Sequence, residues 1–303
     1  MRIENILGIK YPLFQGAMAW ISHSSLVSSV SNAGGLGILG GGSLTKEACK
    51  EEIHRIKALT DKPFALNIML MSPHSDDLAD LAIEENVKII VTGAGNPSKY
   101  MKKWKEHGII VIPVVASVAL AKRMERLGAD AIIAEGTEAG GHVGELTTMT
   151  LVPQVVDAVT IPVIAAGGIA DKRGVNAAFA LGADGVQVGT RFLVAKECTI
   201  PQSYKDEIIN AKDTDSTVTG RITGHPVRVL KNRMTRNIKE IENSADMTVD
   251  EKIAKIEEVT MGSFRKAVVD GDTKYGSLMS GQTAGLVKKE ETAEEIIKSL
   301  FES

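Results

Sequence analysis

Along this chain, apolar residues gather in short β-branched runs separated by segments whose apolar positions return every three or four residues. The runs fall at 13–15, 35–39, 64–69, 87–92, 109–115, 131–135, 162–166 and 186–189, eight candidate strands. In Ile109-Ile110-Val111-Ile112 the apolar character is continuous, so both faces of that strand are covered, as in parallel sheets wrapped by helices. The intervening stretches 46–59 and 117–127 have helical spacing. The second sets Val118, Ala121, Met124, Glu125 and Leu127 mostly along one stripe and stops at Gly128, a common helix terminator. Eight strand-then-helix units predict an α/β fold, a (β/α)8 TIM barrel. An open doubly wound sheet has the same alternation, and strand count alone does not prove closure.

The pattern breaks after Phe192. Residues 196–262 are polar, with charged helical stretches at 204–212 and 249–259 and no strong buried-strand signal. They read as an inserted small helical lid or substrate domain. Apolar, glycine-rich sequence returns at 276–286, and the amphipathic stretch 290–301 reads as a last helix closing the barrel wall. The expected organisation is therefore a barrel over 1–195, a lid over 196–262 and a C-terminal segment, 263–303, that returns to the barrel. Neither a solenoid repeat nor a low-complexity tract interrupts it.

Composition narrows the class. With 303 residues, 44% hydrophobic and 24% charged, the chain can bury a large core and is not a disordered one. Its 35 Lys and Arg against 38 Asp and Glu leave a net charge of −3, which provides no global field for nucleic acid or an anionic membrane. Cys49 and Cys198 stand far apart, without a CxxC or clustered histidines, so neither a disulfide scaffold nor a metal site is expected and a reducing cytoplasm fits. No apolar run reaches a membrane span of about 18 residues, and charges interrupt the N-terminus where a signal peptide would be apolar. Aromatic residues make up only 4% while glycine numbers 29, which implies an aliphatic core and many tight or closely approached backbone positions.

In a parallel barrel, ligands bind at the C-terminal ends of the strands. Those ends here read Gln15-Gly16-Ala17-Met18-Ala19-Trp20, Gly40-Gly41-Gly42, Asn67, Gly93-Ala94-Gly95, Glu135-Gly136-Thr137-Glu138-Ala139-Gly140-Gly141-His142, Ala166-Gly167-Gly168 and Gly189-Thr190. Any one glycine serves a βα turn; together they suggest a large flat ligand pressed against backbone. Gly167-Gly168 and Gly189-Thr190 follow the seventh and eighth strands, where such barrels bind phosphate through backbone N–H groups. Residues 33–37, Ala-Gly-Gly-Leu-Gly, lack the GxGxxG spacing and follow a helix, which argues against a dinucleotide fingerprint.

His142 stands in a strand-end glycine loop, where an imidazole either donates a proton or hydrogen-bonds a developing oxyanion; the plain alternative is a solvated loop histidine. His54, His74 and His107 fall on helices or polar loops, while His23 follows the first strand and His225 lies in the lid. Cys49 and Cys198 lack the basic neighbour of a nucleophile.

The segments Tyr11-Pro-Leu-Phe-Gln-Gly-Ala-Met-Ala-Trp20, Asn32-Ala-Gly-Gly-Leu-Gly37, Glu135-Gly-Thr-Glu-Ala-Gly-Gly-His142, Ala165-Ala-Gly-Gly-Ile-Ala-Asp171, Val186-Gln-Val-Gly-Thr-Arg-Phe192 and Gly281-Gln-Thr-Ala-Gly-Leu286 resemble the FMN-dependent enoyl-acyl carrier protein reductase II family. Its close relatives, the nitronate monooxygenases or 2-nitropropane dioxygenases, share the barrel, the flavin and the Glu-Ala-Gly-Gly-His element. Stretches 15–20, 92–100 and 146–151 favour the reductase.

The resemblance implies that Ala17, Met18 and Ala19 lie along the isoalloxazine, Asn67 bonds its polar edge, and Glu135, Gly140 and Gly141 shape the pocket. It gives the FMN phosphate to Gly167, Gly168, Gly189 and Thr190, and returns Met279, Ser280 and Gln282 to the flavin. Gln187 lies on the strand leading to the phosphate loop, or points into the barrel instead. The implied reaction is reduction of trans-2-enoyl-acyl carrier protein to acyl-acyl carrier protein by NADH or NADPH, with FMN as cofactor, His142 catalytic and a homodimer as the assembly. The alternatives are oxidation of alkyl nitronates by FMN and O2, and a flavin-binding module without turnover. Arg228, Lys231, Arg233, Arg236 and Lys239 read as one basic helix face for the acidic carrier protein, against a solvated face or a grip on nicotinamide phosphates.

Overall fold

Eight β-branched runs pair edge to edge in the computed structural model, which describes residues 2–302. They are β1 (Leu13–Gln15), β2 (Gly37–Gly40), β3 (Phe64–Met69), β4 (Ile89–Gly93), β5 (Ile110–Val115), β6 (Ile132–Glu135), β8 (Val163–Ala166) and β9 (Gly185–Val188); the short β7 (Gly141–His142) lies outside this sheet. The order is β1-β9-β8-β6-β5-β4-β3-β2, with every pairing parallel. β1 also meets the chain just before β2: the Leu36 N–H donates to the Leu13 carbonyl at 2.8 Å and the Gln15 N–H to the Leu36 carbonyl at 2.9 Å. These bonds close the sheet, so the fold is a (β/α)8 TIM barrel and not an open sheet.

Alternation along each strand sorts side chains to two sides. Phe14, Leu36, Ile38, Ala65, Val91, Ile112, Ile133 and Ile164 fill the barrel together with Ile3 and Leu7 of the short helix Ile3–Leu7. That helix plugs the N-terminal end, since Ile3 packs close to Gly185 at the start of β9. Leu13, Ile132, Ala134, Val163, Ala165, Val186 and Val188 point outward to the surrounding helices, as do Leu39, Leu66 and Ile68 on the other side. The helices Lys46–Leu59 and Val118–Arg126 form where their spacing predicts, capped by Thr45 and Ser117. The last helix, Ala293–Phe301, packs against Ser24–Asn32 and Lys172–Ala180, with the Phe301 ring 5.3 Å from that of Tyr11. Gly37 is needed because the Val27 carbonyl fills the place of a side chain there. The glycines of 33–37 thus serve close helix–strand packing.

The polar segment after the barrel holds the helices Gln202–Asn210, Arg233–Asn243 and Val249–Thr260, but it is not purely helical. β10 (Ser216–Thr219) and β11 (Val227–Leu230) pair antiparallel, and the other edge of β11 takes up β7. The helical expectation is corrected here: a four-residue strand such as Val227–Leu230 carries too little periodicity to be read alone, and its partners come from distant parts of the chain. No helix among the described residues is long and apolar enough to cross a membrane.

Candidate functional site

The inward-facing series of the barrel ends, at its C-terminal mouth, in Gly16, Gly40, Asn67, Gly93, Glu135 and Gln187. Their outward neighbours Leu39, Leu66, Ala134, Val186 and Val188 set this alternation. The floor of the mouth thus carries an amide, a carboxyl and a second amide between glycines. Burial without a countercharge pushes the Glu135 carboxyl up to about 7. Gln187 turns beneath Gly16, whose Cβ position lies 3.5 Å from the Gln187 Cγ, and its buried Oε1 has no hydrogen-bond partner. Of the two orientations open to Gln187 in the sequence, the inward one is realised.

Ala17, Met18 and Ala19 form a half-buried wall after β1. Gln15, from the first strand-end motif, and Ser22, which no motif marks, hold it. The buried Gln15 Nε2 donates to Ser22 Oγ at 2.8 Å and the Met18 N–H donates to the same oxygen at 2.9 Å, while Gln15 Oε1 accepts from the Ile38 N–H at 3.2 Å. Gly40 lies against the Met18 carbonyl, 2.7 Å from where its Cβ would be, so the wall rests directly on β2.

Three distant segments of the chain meet at a junction of loops. A Cβ on Gly140 would come within 2.7 Å of the Ser280 carbonyl carbon, and one on Gly281 within 2.7 Å of the Glu138 carbonyl oxygen. The Gly281 N–H donates to Thr190 Oγ1 at 2.8 Å and the Gln282 N–H to the Glu138 carbonyl at 2.9 Å. Thr190 therefore spends its oxygen on the C-terminal segment, and Gln282 enters through its backbone while its side chain is exposed. Met279 sulfur lies 3.7 Å from the Cβ position of Gly141, and Ser280 Oγ is buried beside the Tyr204 hydroxyl, which donates to the Met279 carbonyl at 2.9 Å.

Three further residues clamp the junction. The Glu138 carboxylate accepts the Thr148 N–H at 2.9 and 3.0 Å, and Thr148 Oγ1 lies 2.9 Å from the Gly167 carbonyl. Arg228 Nε donates to the Thr137 carbonyl at 2.9 Å and its Nη1 to Ser216 Oγ at 2.9 Å. Arg228 is thus a buried residue of β11, which corrects its placement on a basic helix face; Arg233, Arg236 and Lys239 do lie on the helix Arg233–Asn243. The run 146–151 carried the only sequence signal for Thr148; nothing local marked Arg228 as buried.

The four residues implied for phosphate differ in the room they leave. Gly167 packs on the 136–139 loop, its Cβ position 2.8 Å from the Gly136 carbonyl, and Gly168 lies 3.5 Å from the Glu138 side chain. No atom stands within 4 Å of the Cβ position of Gly189. Open space over Gly189, an orphaned Gln187 oxygen and a glycine-lined mouth are what a flat, phosphorylated ring system needs, so the residues fit the implied flavin.

His142 sits on β7 opposite Val227, with an exposed side chain. His225 precedes Val227 by two, which puts it on the same face diagonal to His142. Desolvation, and secondarily the charge of His225, lower the pKa of the His142 imidazole from its ordinary range. Both cysteines are buried; desolvation pushes the Cys49 thiol up to about 12 and raises that of Cys198, leaving neither a thiolate nucleophile.

Comparison with known proteins agrees with this architecture. The chain is 48% identical to FabK from Thermotoga maritima, over 98% of this chain and 94% of that one, with a TM-score of 0.94. It is 36% identical to a probable nitronate monooxygenase of Staphylococcus saprophyticus, over 95% of this chain and 93% of that protein. At 33% identity, covering 98% and 94%, stands the (3aS,4S,5R,7aS)-5-hydroxy-7a-methyl-1-oxo-octahydro-1H-indene-4-carboxyl-CoA dehydrogenase of Rhodococcus jostii. A nitroalkane oxidase from Streptomyces ansochromogenes shares 26% identity at a TM-score of 0.84, over 98% of this chain and 96% of that one. A family model described as nitronate monooxygenase matches residues 1–303, and the chain accordingly belongs to the nitronate monooxygenase family of oxidoreductases.

Proposed function

We propose that this member of the family is an FMN-dependent enoyl-acyl carrier protein reductase, converting trans-2-enoyl to acyl thioesters with NADH or NADPH in fatty-acid elongation. One observation carries the reading: the reductase II motifs run through a chain that is 48% identical to FabK, against 36% to a probable nitronate monooxygenase and 26% to a nitroalkane oxidase. A relative named for a carboxyl-CoA substrate, at 33% identity, agrees with a thioester.

In this reading Gly168 and Gly189 would present backbone N–H groups to the FMN phosphate, with Gly167 and Thr190 holding the loops behind them. Asn67, Glu135 and Gln187 would face the ring from the floor, and Ala17, Met18 and Ala19 would lie along it. Gly140, Gly141, Met279, Ser280 and Gln282 would border the opening. Bound FMN supplies the exchange of hydride between nicotinamide and the enoyl β-carbon. As the β-carbon is reduced, negative charge grows on the thioester oxygen, and the His142 imidazole donates an N–H to it. The step is completed by a proton taken up at the α-carbon, delivered through the exposed His142 imidazole or by solvent.

The test is an anaerobic assay with crotonyl-CoA and NAD(P)H, in which nicotinamide consumption should depend on the enoyl substrate. The family model and the probable nitronate monooxygenase relative favour a second reading, oxidation of alkyl nitronates with O2. Oxygen uptake with a nitronate and no enoyl turnover would establish that reading and overturn the first.

A further inference from the structure

Apart from the barrel mouth, the chain has a second concave feature. Two adjoining hollows, of about 460 and 510 Å³, run along the helix Arg233–Asn243 and share Asn237 and Tyr275. Arg233, Arg236, Lys255 and Lys266 line them, with Glu240 and Glu258 as the only carboxylates. None of these four cations forms an ion pair among the described residues. On the barrel surface, by contrast, Lys46, Lys99, Lys103 and Lys105 each sit 2.6 to 2.7 Å from a carboxylate. Four cations against two carboxylates leave the groove lining net positive, a surface that attracts negative charge.

The groove is tied to the mouth by a short piece of chain. Tyr275, 45% exposed with the Arg233 guanidinium 5.7 Å from its ring centre, starts a segment that reaches Ser280 at the loop junction. Five residues span at most about 17 Å. Asn232 Nδ2 donates to the Thr273 and Gly276 carbonyls at 3.0 and 2.8 Å, and the Leu230 N–H donates to the Leu278 carbonyl at 2.9 Å. These bonds hold the groove and the mouth in fixed relation. A phosphopantetheine arm, roughly as long as six extended residues or about 20 Å, covers that distance.

Resting on the reductase reading, we propose that this groove docks the acidic face of the acyl carrier protein while the arm carries the enoyl thioester to the mouth. Charge complementarity selects the carrier; the bound on distance makes the docking productive.

The test uses the flavin-loaded enzyme, with labelled holo-acyl carrier protein in fluorescence anisotropy alongside steady-state kinetics. The double substitution R233E/R236E should raise the Kd for the carrier and the KM for enoyl-carrier protein about tenfold or more. The KM values for crotonyl-CoA and NAD(P)H should stay within about twofold, and wild-type carrier affinity should fall with salt. K255E/K266E, in the adjoining hollow, should act in the same direction. Unchanged carrier affinity in both double variants overturns the proposal. An equal rise for crotonyl-CoA or NAD(P)H also overturns it, because the groove would then serve a nucleotide. Failure of the reductase reading is separately visible: no enoyl turnover by the wild type, with carrier binding that R233E/R236E abolishes, leaves the docking surface standing.

Discussion

At the barrel mouth backbone lies against backbone, with Gly140 on Ser280 and Gly281 and with Gly40 on Met18, and the polar groups there are desolvated. Along the helix Arg233–Asn243 the polar groups are long cationic side chains facing solvent. Both regions are concave, but one selects by shape and the other by charge. A side chain added at Gly40, Gly140 or Gly281 has nowhere to go, and a polar atom at the mouth such as Gln187 Oε1 costs free energy until something bonds it. A cation in the groove is hydrated, so exchanging it changes affinity for a charged partner and leaves the fold alone. Substitutions at the mouth should therefore act on cofactor and chemistry, and those in the groove on the partner.

The largest effect is expected where the mouth leaves room. Gly189 has φ −107°, which any residue adopts, and no atom near its Cβ position. Gly189→Val should fold with a stability change within about 0.5 kcal/mol yet retain almost no flavin, read from absorbance of the purified protein. Full flavin occupancy in this variant would remove Gly189 from the phosphate site. Gly168→Val should lose flavin too, but with a further destabilisation of roughly 1–2 kcal/mol, because Gly168 has φ +78°.

Next comes His142→Ala. Flavin content and flavin reduction by NAD(P)H should persist, while reoxidation by the enoyl substrate slows by about 10² to 10³, the usual cost of one oxyanion donor. Stopped-flow traces with a wild-type oxidative half-reaction would take His142 out of the mechanism.

A smaller effect is expected at Glu135. Its folded pKa lies at about 7 against an ordinary 4.5, so the neutral form is favoured by folding. The associated stability is fully present below pH 4.5 and is lost as pH rises through 7. Flavin-free wild type should lose about 2 kcal/mol over that window in urea unfolding, allowing for partial exposure of the side chain. Glu135→Gln should flatten the dependence. An equally steep slope in the variant would place the titrating group elsewhere.

The smallest change concerns the two histidines that share a face. The charge of His225 lowers the His142 pKa, so His225→Gln should move the NMR titration of His142 to higher pH. An unmoved titration would mean that the diagonal pair is not coupled and that desolvation alone sets His142.

Much of the barrel is legible in the sequence, because a strand covered on both faces is written locally, in β-branched runs such as 109–115. The helix at 46–59 and the glycine-rich strand ends are local signals of the same kind. The segment 196–262 is less legible. Val227–Leu230 becomes a strand because it meets Ser216–Thr219 on one edge and Gly141–His142 on the other, and Arg228, which reads as one more surface cation, is buried by that pairing.

The sequence by itself determined the alternation of strands and helices, the placement of glycine at the barrel's chemical end, and the motifs of the family. Only the tertiary structure decided closure through Leu36, the inward turn of Gln187, and the clamp that Glu138 and Thr148 place on the histidine loop. It also decided which cations find a carboxylate and which remain free along the helix Arg233–Asn243. The physical reason is range: periodicity and turn chemistry act between residues a few positions apart. A buried hydrogen bond, a backbone contact between glycines or an unpaired charge depends instead on which distant segment arrives beside it.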